Sequence, residues 1–473
     1  MPWIGDNAAG LRETFSNALS PEVFVVNIFR QWGVSAWLFA LFFIYPIPHT
    51  IALRNLLLVT GLISCLWIIR RDHTLRPTWF RLRPYRLCGW LLTILTVWML
   101  FQSALISPFP RLALDHWRGD WLNELLVAIT GGCAILLSRD RGIKPPLTAI
   151  VLALFSHMAL LLGYQVWVWI QTGVYPLGQT PFAQKDYHSM IVTTLIALLL
   201  AQLLIHTAAP ARKPLNNSLL SVSALLFMLT FSLIATATLL ARNAVIITVF
   251  MLMLSTCVFF FSGTNRLSRK SLTAVIILLT ISAATGWAGL RSDSRWQGFS
   301  EAAKVAFDTK NNLAWLDGTK YPRPLMANGQ AVEESAYSRL AWAKVAIEQI
   351  QVYPLGLGYG HQAFGWAVNR SYNVQTTHES SHSGLLDFTL ANGIPGLILW
   401  LAFSGALIGA GWRAFRNAGS PTGLMLAFSA IAYLVRCLLD GHLSGFRLEM
   451  YALLIGALVM AQVSENINAT DPD

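Results

Sequence analysis

Charge is what this sequence has least of. Only 12% of its 473 residues are Asp, Glu, Lys or Arg, while 55% are hydrophobic. A soluble domain carries about 25% charged residues, so a water-facing globular surface is excluded. Residues 1–20 are polar and contain no apolar core, so no cleavable signal peptide is expected. Cysteine is scarce: Cys65, Cys88, Cys133, Cys257 and Cys437 all lie in or beside apolar runs, which leaves the long polar segment without a disulfide framework. No basic run resembles a nucleic-acid patch. The densest, RRDHTLRPTWFRLRPYR, is explained by contact with anionic lipid head groups. Internal repeats and broken mid-membrane helices, the marks of many transporters, are also lacking.

Hydrophobic runs of roughly 17–22 residues recur instead, each long enough to cross a bilayer core as a helix. They predict an all-α polytopic membrane protein with twelve spans: 31–47, 51–69, 87–107, 121–138, 147–170, 189–208, 218–239, 243–262, 271–290, 385–411, 421–439 and 447–464. Alternate connections hold Arg70 to Arg86, then Arg139 to Lys144, Arg212 and Lys213, Arg266 to Lys270, and Arg413 and Arg416; the others hold few. The basic set is expected in the cytoplasm, together with both termini. Three regions follow: an N-terminal bundle over 1–290, a polar external loop over 291–384, and a C-terminal bundle over 385–473. Within the loop, SRLAWAKVAIEQIQVYP has apolar residues at helical spacing (Leu340, Ala343, Ala346, Ile347, Ile350) and a proline stop. With nothing large enough in its own loop to cover it, that face is expected to pack on the outer end of the bundle. LGLGYGHQAFG, which follows, has too many glycines for a helix and reads as a tight loop.

One short stretch, THESSHSG, contains HESSH, a formal HExxH. On a helix that spacing sets two imidazoles one turn apart for zinc, with a glutamate to activate water. The setting is unsuited to a helix, because NRSYNVQTT precedes the motif and Ser and Gly follow it. Helical structure is expected to begin near Ser380 or Ser381, which leaves His378 and Glu379 in the approach loop. Leu439-Asp440-Gly441 imitates the second motif of intramembrane zinc proteases, but by the charge count both segments face outward.

Read from His382, the sequence is HSGLLDFTLANGIPGLILWLAF, a histidine eleven residues before Gly393-Ile394-Pro395-Gly396 and a span. This pattern resembles the superfamily of O-antigen ligases and O-antigen polymerases, bacterial envelope glycosyltransferases. Ser383 stands where that family usually has Asn, while Leu386, Asp387, Asn392, Gly393, Ile394 and Gly396 fit. Upstream, Arg339, Trp342, Pro354, Gly356, Gly358 and Phe364 match the family's Arg, Trp, amphipathic helix, Pro and Gly-x-Gly order. LLARNAVIITVF resembles its short external Ser-Arg-Gly turn, with Ala241 and Asn243 replacing the small neighbours and Arg242 kept.

The resemblance implies a donor glycan on undecaprenyl diphosphate and an acceptor sugar, for a ligase the lipid A–core oligosaccharide, met at the periplasmic face of the bacterial inner membrane. The chemistry suits the residues. Guanidinium groups bind phosphate oxygens bidentately and stay charged, which makes Arg242, Arg339 and then Arg295 the candidate diphosphate binders. A sugar hydroxyl needs a base, and a histidine titrates near neutrality, which assigns that task to His382. One such displacement inverts the anomeric centre, and neither metal nor cofactor is required. Tyr187 and His188 enter a span from another external loop and are candidates to line the same cavity; His361 and His378 read as loop polarity or acceptor contacts. Arg339 could instead pair with Glu333 or Glu334, whereas Arg242 has few obvious partners in its own turn. Arg436 and Asp440, one helical turn apart, read as an internal salt bridge. The ligase is the leading reading. A polymerase shares its motifs, a protein O-oligosaccharyltransferase is third, and a zinc peptidase or a transporter comes last.

Overall fold

The computed structural model describes residues 32–72, 75, 82–139, 142–208, 219–261, isolated positions between 280 and 291, 299–326, 329–360, 362–376, 378–441 and 443–470. These residues form an all-α polytopic membrane protein. Its first eight helices are α1 (Val34–Ile44), α2 (Ile51–Arg71), α3 (Arg83–Ile106), α4 (Pro110–Leu137), α5 (Lys144–Thr172), α6 (Lys185–Ala208), α7 (Val222–Thr238) and α8 (Arg242–Phe261). Three short helices belong to the polar segment: α9 (Phe299–Ala306), α10 (Glu334–Val352) and α11 (Ala363–Tyr372). The chain returns to the bundle through α12 (Gly384–Ala418), α13 (Pro421–Leu439) and α14 (Gly445–Thr470).

Nine of these helices are long and apolar enough to cross a bilayer, and the shorter α1 and α7 are apolar as well. Each of eleven expected spans therefore has its helix among the described residues. The twelfth, 271–290, lies outside them apart from isolated positions. Prolines at the first turns of α5 and α13, and left-handed glycines after α5 and α12 (Gly173 φ 71°, Gly419 φ 64°), set helix limits where the sequence changes from apolar to polar. The helices approach closely where glycines face backbone. A Cβ added to Gly456 of α14 would collide with the Ala128 carbonyl of α4, and one on Gly411 of α12 with the Gly423 carbonyl of α13. Small residues of this kind let membrane helices pack by van der Waals contact where no water drives them together.

α12 has 35 residues, about 52 Å of helix, against a hydrocarbon core of about 30 Å. It is two helices end to end. Gly393 (φ 73°, ψ 174°) breaks it, Pro395 restarts it, and only the second part has the length of a span.

The polar segment differs from expectation in how it is covered. It has its own core, in which Ala302, Ala306, Trp315, Val332 and Val368 close around Tyr337, Ala341, Trp342 and Val345 of α10. Leu390 and Ala391, with partly buried Leu386, join it from the outer end of α12. α10 is also rotated from the predicted face: of the five apolar positions named, Ala346 alone is buried, and Ile347 is exposed. The reason is the indole of Trp315, whose neighbours select the Trp342 side of the helix. Trp342 donates through Nε1 to the Trp315 carbonyl (2.9 Å), and Tyr337 donates its hydroxyl to the Asn312 carbonyl (2.9 Å).

Candidate active site

The glycine-rich loop and the helix break fit into each other. Leu357 N donates to the Leu390 carbonyl (2.8 Å), Gly358 N to the Ala391 carbonyl (2.9 Å) and Ile394 N to the Pro354 carbonyl (2.8 Å). Gly356 and Gly393 both have positive φ, and a Cβ on either would meet the other's backbone segment. The two motifs that are 37 residues apart in sequence, Gly356 and Gly393, thus form one close backbone contact. Two π-helical turns border it. Ser103, in the turn Gln102–Ile106 of α3, accepts from Tyr359 N (3.3 Å), and Ser107 just beyond donates to the Leu357 carbonyl (2.5 Å). Asp120 lies in the second, Trp117–Trp121 of α4.

Beside this contact runs the strap 380–383 that leads into α12. Ser381 N donates to Asp387 Oδ1 (2.8 Å), Ser383 Oγ to the Leu438 carbonyl (3.1 Å), and Gly384 N to the Asp440 carbonyl (2.9 Å). α12 begins at Gly384 with Ser383 as its N-cap residue, three to four residues later than the expected start near Ser380 or Ser381, so His382 stands just before the helix and not in it. The cause is Asp387, which draws the Ser381 amide into a hydrogen bond outside the helix. His382 has φ 58°. A left-handed conformation costs a side-chain-bearing residue about 1–2 kcal/mol, and the strap's hydrogen bonds on both sides hold it there.

The His382 ring stacks on Trp342 (centroids 5.0 Å apart, planes 24° apart), and His378 packs on the same indole at 4.8 Å. Burial, then the Arg339 guanidinium, lowers the His382 pKa from its ordinary value; Asp440 and Asp186 oppose this, and His378 adds to it. The neutral imidazole, the form that accepts a proton, is thereby favoured. The run from His378 to Ser383 is not helical, so HESSH does not set its histidines one turn apart. Among the described residues no three His, Cys, Asp or Glu side chains gather as a metal site.

The arginines divide differently from the sequence reading. Arg242, the first residue of α8, holds Glu333 across 91 positions (3.4 Å) and donates to Ser335 Oγ (3.0 Å), so it is well partnered. Glu333 also caps α10 by accepting from Ala336 N (2.6 Å). Glu334 faces Arg323 at 3.7 Å on the surface. Arg339 takes neither acid. It lies one turn from Trp342 on α10 and within electrostatic reach of His382. Arg295 and His361 lie outside the described residues. Tyr187 sits edge-on to Phe446 (4.6 Å) beneath the Arg447 guanidinium (5.2 Å). His188 is fully buried among Phe182 (5.4 Å) and His157 (6.2 Å), inside the bundle.

Under the strap lies a polar network that the sequence showed only in part. Arg436 Nη2 donates to Ser189 O (2.7 Å), Ser189 Oγ (2.8 Å) and Thr193 Oγ1 (3.0 Å). Ser189 Oγ donates to Asn243 Oδ1 (3.0 Å), and Asn243 Nδ2 to Asp440 Oδ2 (2.8 Å). Ser189 and Asn243 thus link Arg436 to Asp440, joining α6, α8 and α13 below His382. Asn243, read as a small-residue replacement, bonds to both neighbours through one amide. An amide next to an arginine at a span start was the available sign.

The fold places the chain among polytopic membrane proteins with an ordered polar segment folded over one end of the bundle. Residues 218–401 match the family model described as O-antigen ligase (Wzy_C), a match that supports the O-antigen ligase/polymerase superfamily. That family implies a glycosyltransferase-like enzyme of O-antigen processing. The matched segment runs from α7 into α12 and takes in Arg242, Arg339, Trp342 and His382. No curated protein matches the chain.

Proposed function

We propose that this protein is an O-antigen ligase that moves a polysaccharide from undecaprenyl diphosphate to a sugar of lipid A–core. The observation that carries this reading is His382, stacked on Trp342 and shifted toward its neutral form by burial and Arg339. In the reaction the imidazole takes the proton of the acceptor hydroxyl as that oxygen attacks the anomeric carbon. The bond from that carbon to the diphosphate oxygen breaks, the diphosphate leaves with the electron pair, and the centre inverts. Arg339 and Arg242 stabilise the departing charge. Electrostatic stabilisation of this kind is often the largest single contribution to a rate. The carboxylate of Glu333 sits on Arg242 as a phosphate would, so donor binding exchanges one anion for another.

The distribution of basic residues among the connections favours a site outside the cytoplasm. Lys144, Arg413 and Glu465 gather at the opposite end of the bundle, where Ser420 donates to Glu465 (2.5 Å). A polyprenyl chain remains in lipid during the reaction, since lifting it into water exposes its whole apolar length. The ligase is preferred to a polymerase because one large loop carries both Arg339 and His382. The test is incubation of the purified protein with lipid-linked glycan and either lipid A–core or a second lipid-linked repeat unit, followed by mass analysis of the lipids. Extension of the lipid-linked repeat alone contradicts the ligase reading.

A further inference from the structure

A small cavity of about 50 Å³ opens beside the strap, with Ser380 and Gly384, the residues flanking His382 at two positions on either side, in its wall. Its chemistry differs from that of the arginines. Asp120 of α4 and Asp387 of α12 line it, with Tyr359, Asn392 and Ser444. Two of these groups are buried and unsatisfied. Tyr359 is 4% exposed and Asn392 is fully buried, yet among the described residues neither the Tyr359 hydroxyl nor Asn392 Oδ1 has a hydrogen-bond partner. The rest of Asn392 is engaged: Nδ2 donates to the Phe388 carbonyl (3.2 Å), and its backbone carbonyl accepts from Trp98 Nε1 (2.7 Å). More than nine in ten buried polar groups in proteins are paired. Two orphans in one cavity wall therefore mark a place where a ligand supplies the partners.

We infer that this cavity binds the non-reacting hydroxyls of an uncharged acceptor sugar while the reacting hydroxyl meets His382. The inference rests on the transferase reading above and adds to it where the acceptor sits. A diphosphate does not suit the cavity: among the described residues no Lys or Arg lines it to neutralise the charge, and its two acids are already engaged, Asp120 with His116 (2.9 Å) and Asp387 with the Ser381 amide (2.8 Å). Sugar hydroxyls suit it, since each can donate to a carboxylate or to Asn392 Oδ1 and can accept from Tyr359. The volume admits a few water-sized groups at about 10–15 Å³ each, which matches hydroxyls projecting from one ring. The strap then separates two subsites of opposite character, cationic for the donor and acidic for the acceptor. By the same electrostatics, an acceptor phosphorylated on the ring that enters is rejected.

The test is Tyr359→Phe in the full-length protein, with KM measured separately for lipid A–core lacking O-antigen and for undecaprenyl-diphosphate-linked glycan. The variant is expected to raise the lipid A–core KM by roughly 3- to 10-fold, the loss of one hydrogen bond, and to leave the donor KM where it was. Thermal unfolding separates this from a structural role. Because the hydroxyl has no partner among the described residues, its removal is expected to leave the midpoint unchanged or raise it. An unchanged acceptor KM, an equal rise in both KM values, or a lowered midpoint overturns the subsite while leaving the functional reading standing. Wild-type protein that transfers glycan to no sugar acceptor overturns the functional reading, and the subsite falls with it.

Discussion

Substituting Gly393 by alanine tests whether the break in α12 is what docks the loop onto the bundle. The residue has φ 73° and ψ 174°, and an added Cβ would lie 2.5 Å from the carbonyl carbon of Leu355 and 2.6 Å from its oxygen. The backbone conformation alone costs alanine about 1–3 kcal/mol. Overpacking against a neighbour that is itself backbone adds about 1–3 kcal/mol. The sum, about 2–6 kcal/mol, shifts the docking equilibrium by a factor of about 30 or more. Gly405, on the same helix, provides the matched control, because a Cβ there meets nothing within 4 Å. Alanine at that exposed helical position is expected to gain up to about 1 kcal/mol. Thermal unfolding in detergent and proteolysis of residues 299–383 are measured for both variants. Gly393→Ala is expected to melt lower, to be cut faster in the loop and to lose transfer, while Gly405→Ala melts no lower than wild type and keeps wild-type cleavage and transfer. Equal midpoints and equal cleavage in the two variants would refute the docking argument.

In the pH profile of transfer, the acid limb is expected below the ordinary histidine value of 6.5, because burial and Arg339 lower the His382 pKa. Arg339→Gln removes the second of those causes, so its limb is expected at higher pH than wild type; a limb that stays in place returns Arg339 to a surface role. Arg242→Lys keeps the charge but loses the planar fork and is expected to weaken donor binding, with Arg242→Ala worse; donor affinity equal in all three proteins removes Arg242 from the site. A cysteine at exposed Ser371 is expected to react with a membrane-impermeant thiol reagent in spheroplasts, and one at exposed Asn417, at the other end of the bundle, is not. Labelling at Asn417 alone inverts the orientation.

The spans were legible because a bilayer demands about 20 apolar residues in a row, and that demand is local. What the sequence hid was set by distant partners. The face that α10 buries is chosen by Trp315, 27 residues from Trp342, and no periodicity within α10 reports it. The Arg242–Glu333 pair spans 91 positions, so Arg242 read as unpartnered and Glu333 as a rival for Arg339. His188 was misplaced for another reason. α6 is 83% buried over its apolar window, so its hydrophobicity is nearly uniform around the axis and cannot tell a cavity-lining position from an interior one. The start of α12 lies three to four residues beyond the expected one because a single carboxylate, Asp387, captures the Ser381 amide. The glycines at 356 and 393 were visible as motifs, but their reason was not. Only the fold shows that each leaves room for the other's backbone.

Glycan transfer by His382→Ala and by His378→Ala, both assayed in chelator with lipid-linked donor and lipid A–core, tests the central claim most directly. Loss of a general base costs roughly 10²–10⁴-fold in rate. His382→Ala is expected to fall by that much while still inserting and accumulating, and His378→Ala and wild type are expected to yield glycosylated lipid A–core without added metal. Transfer by His382→Ala at the wild-type rate, or loss of wild-type transfer in chelator, contradicts the account.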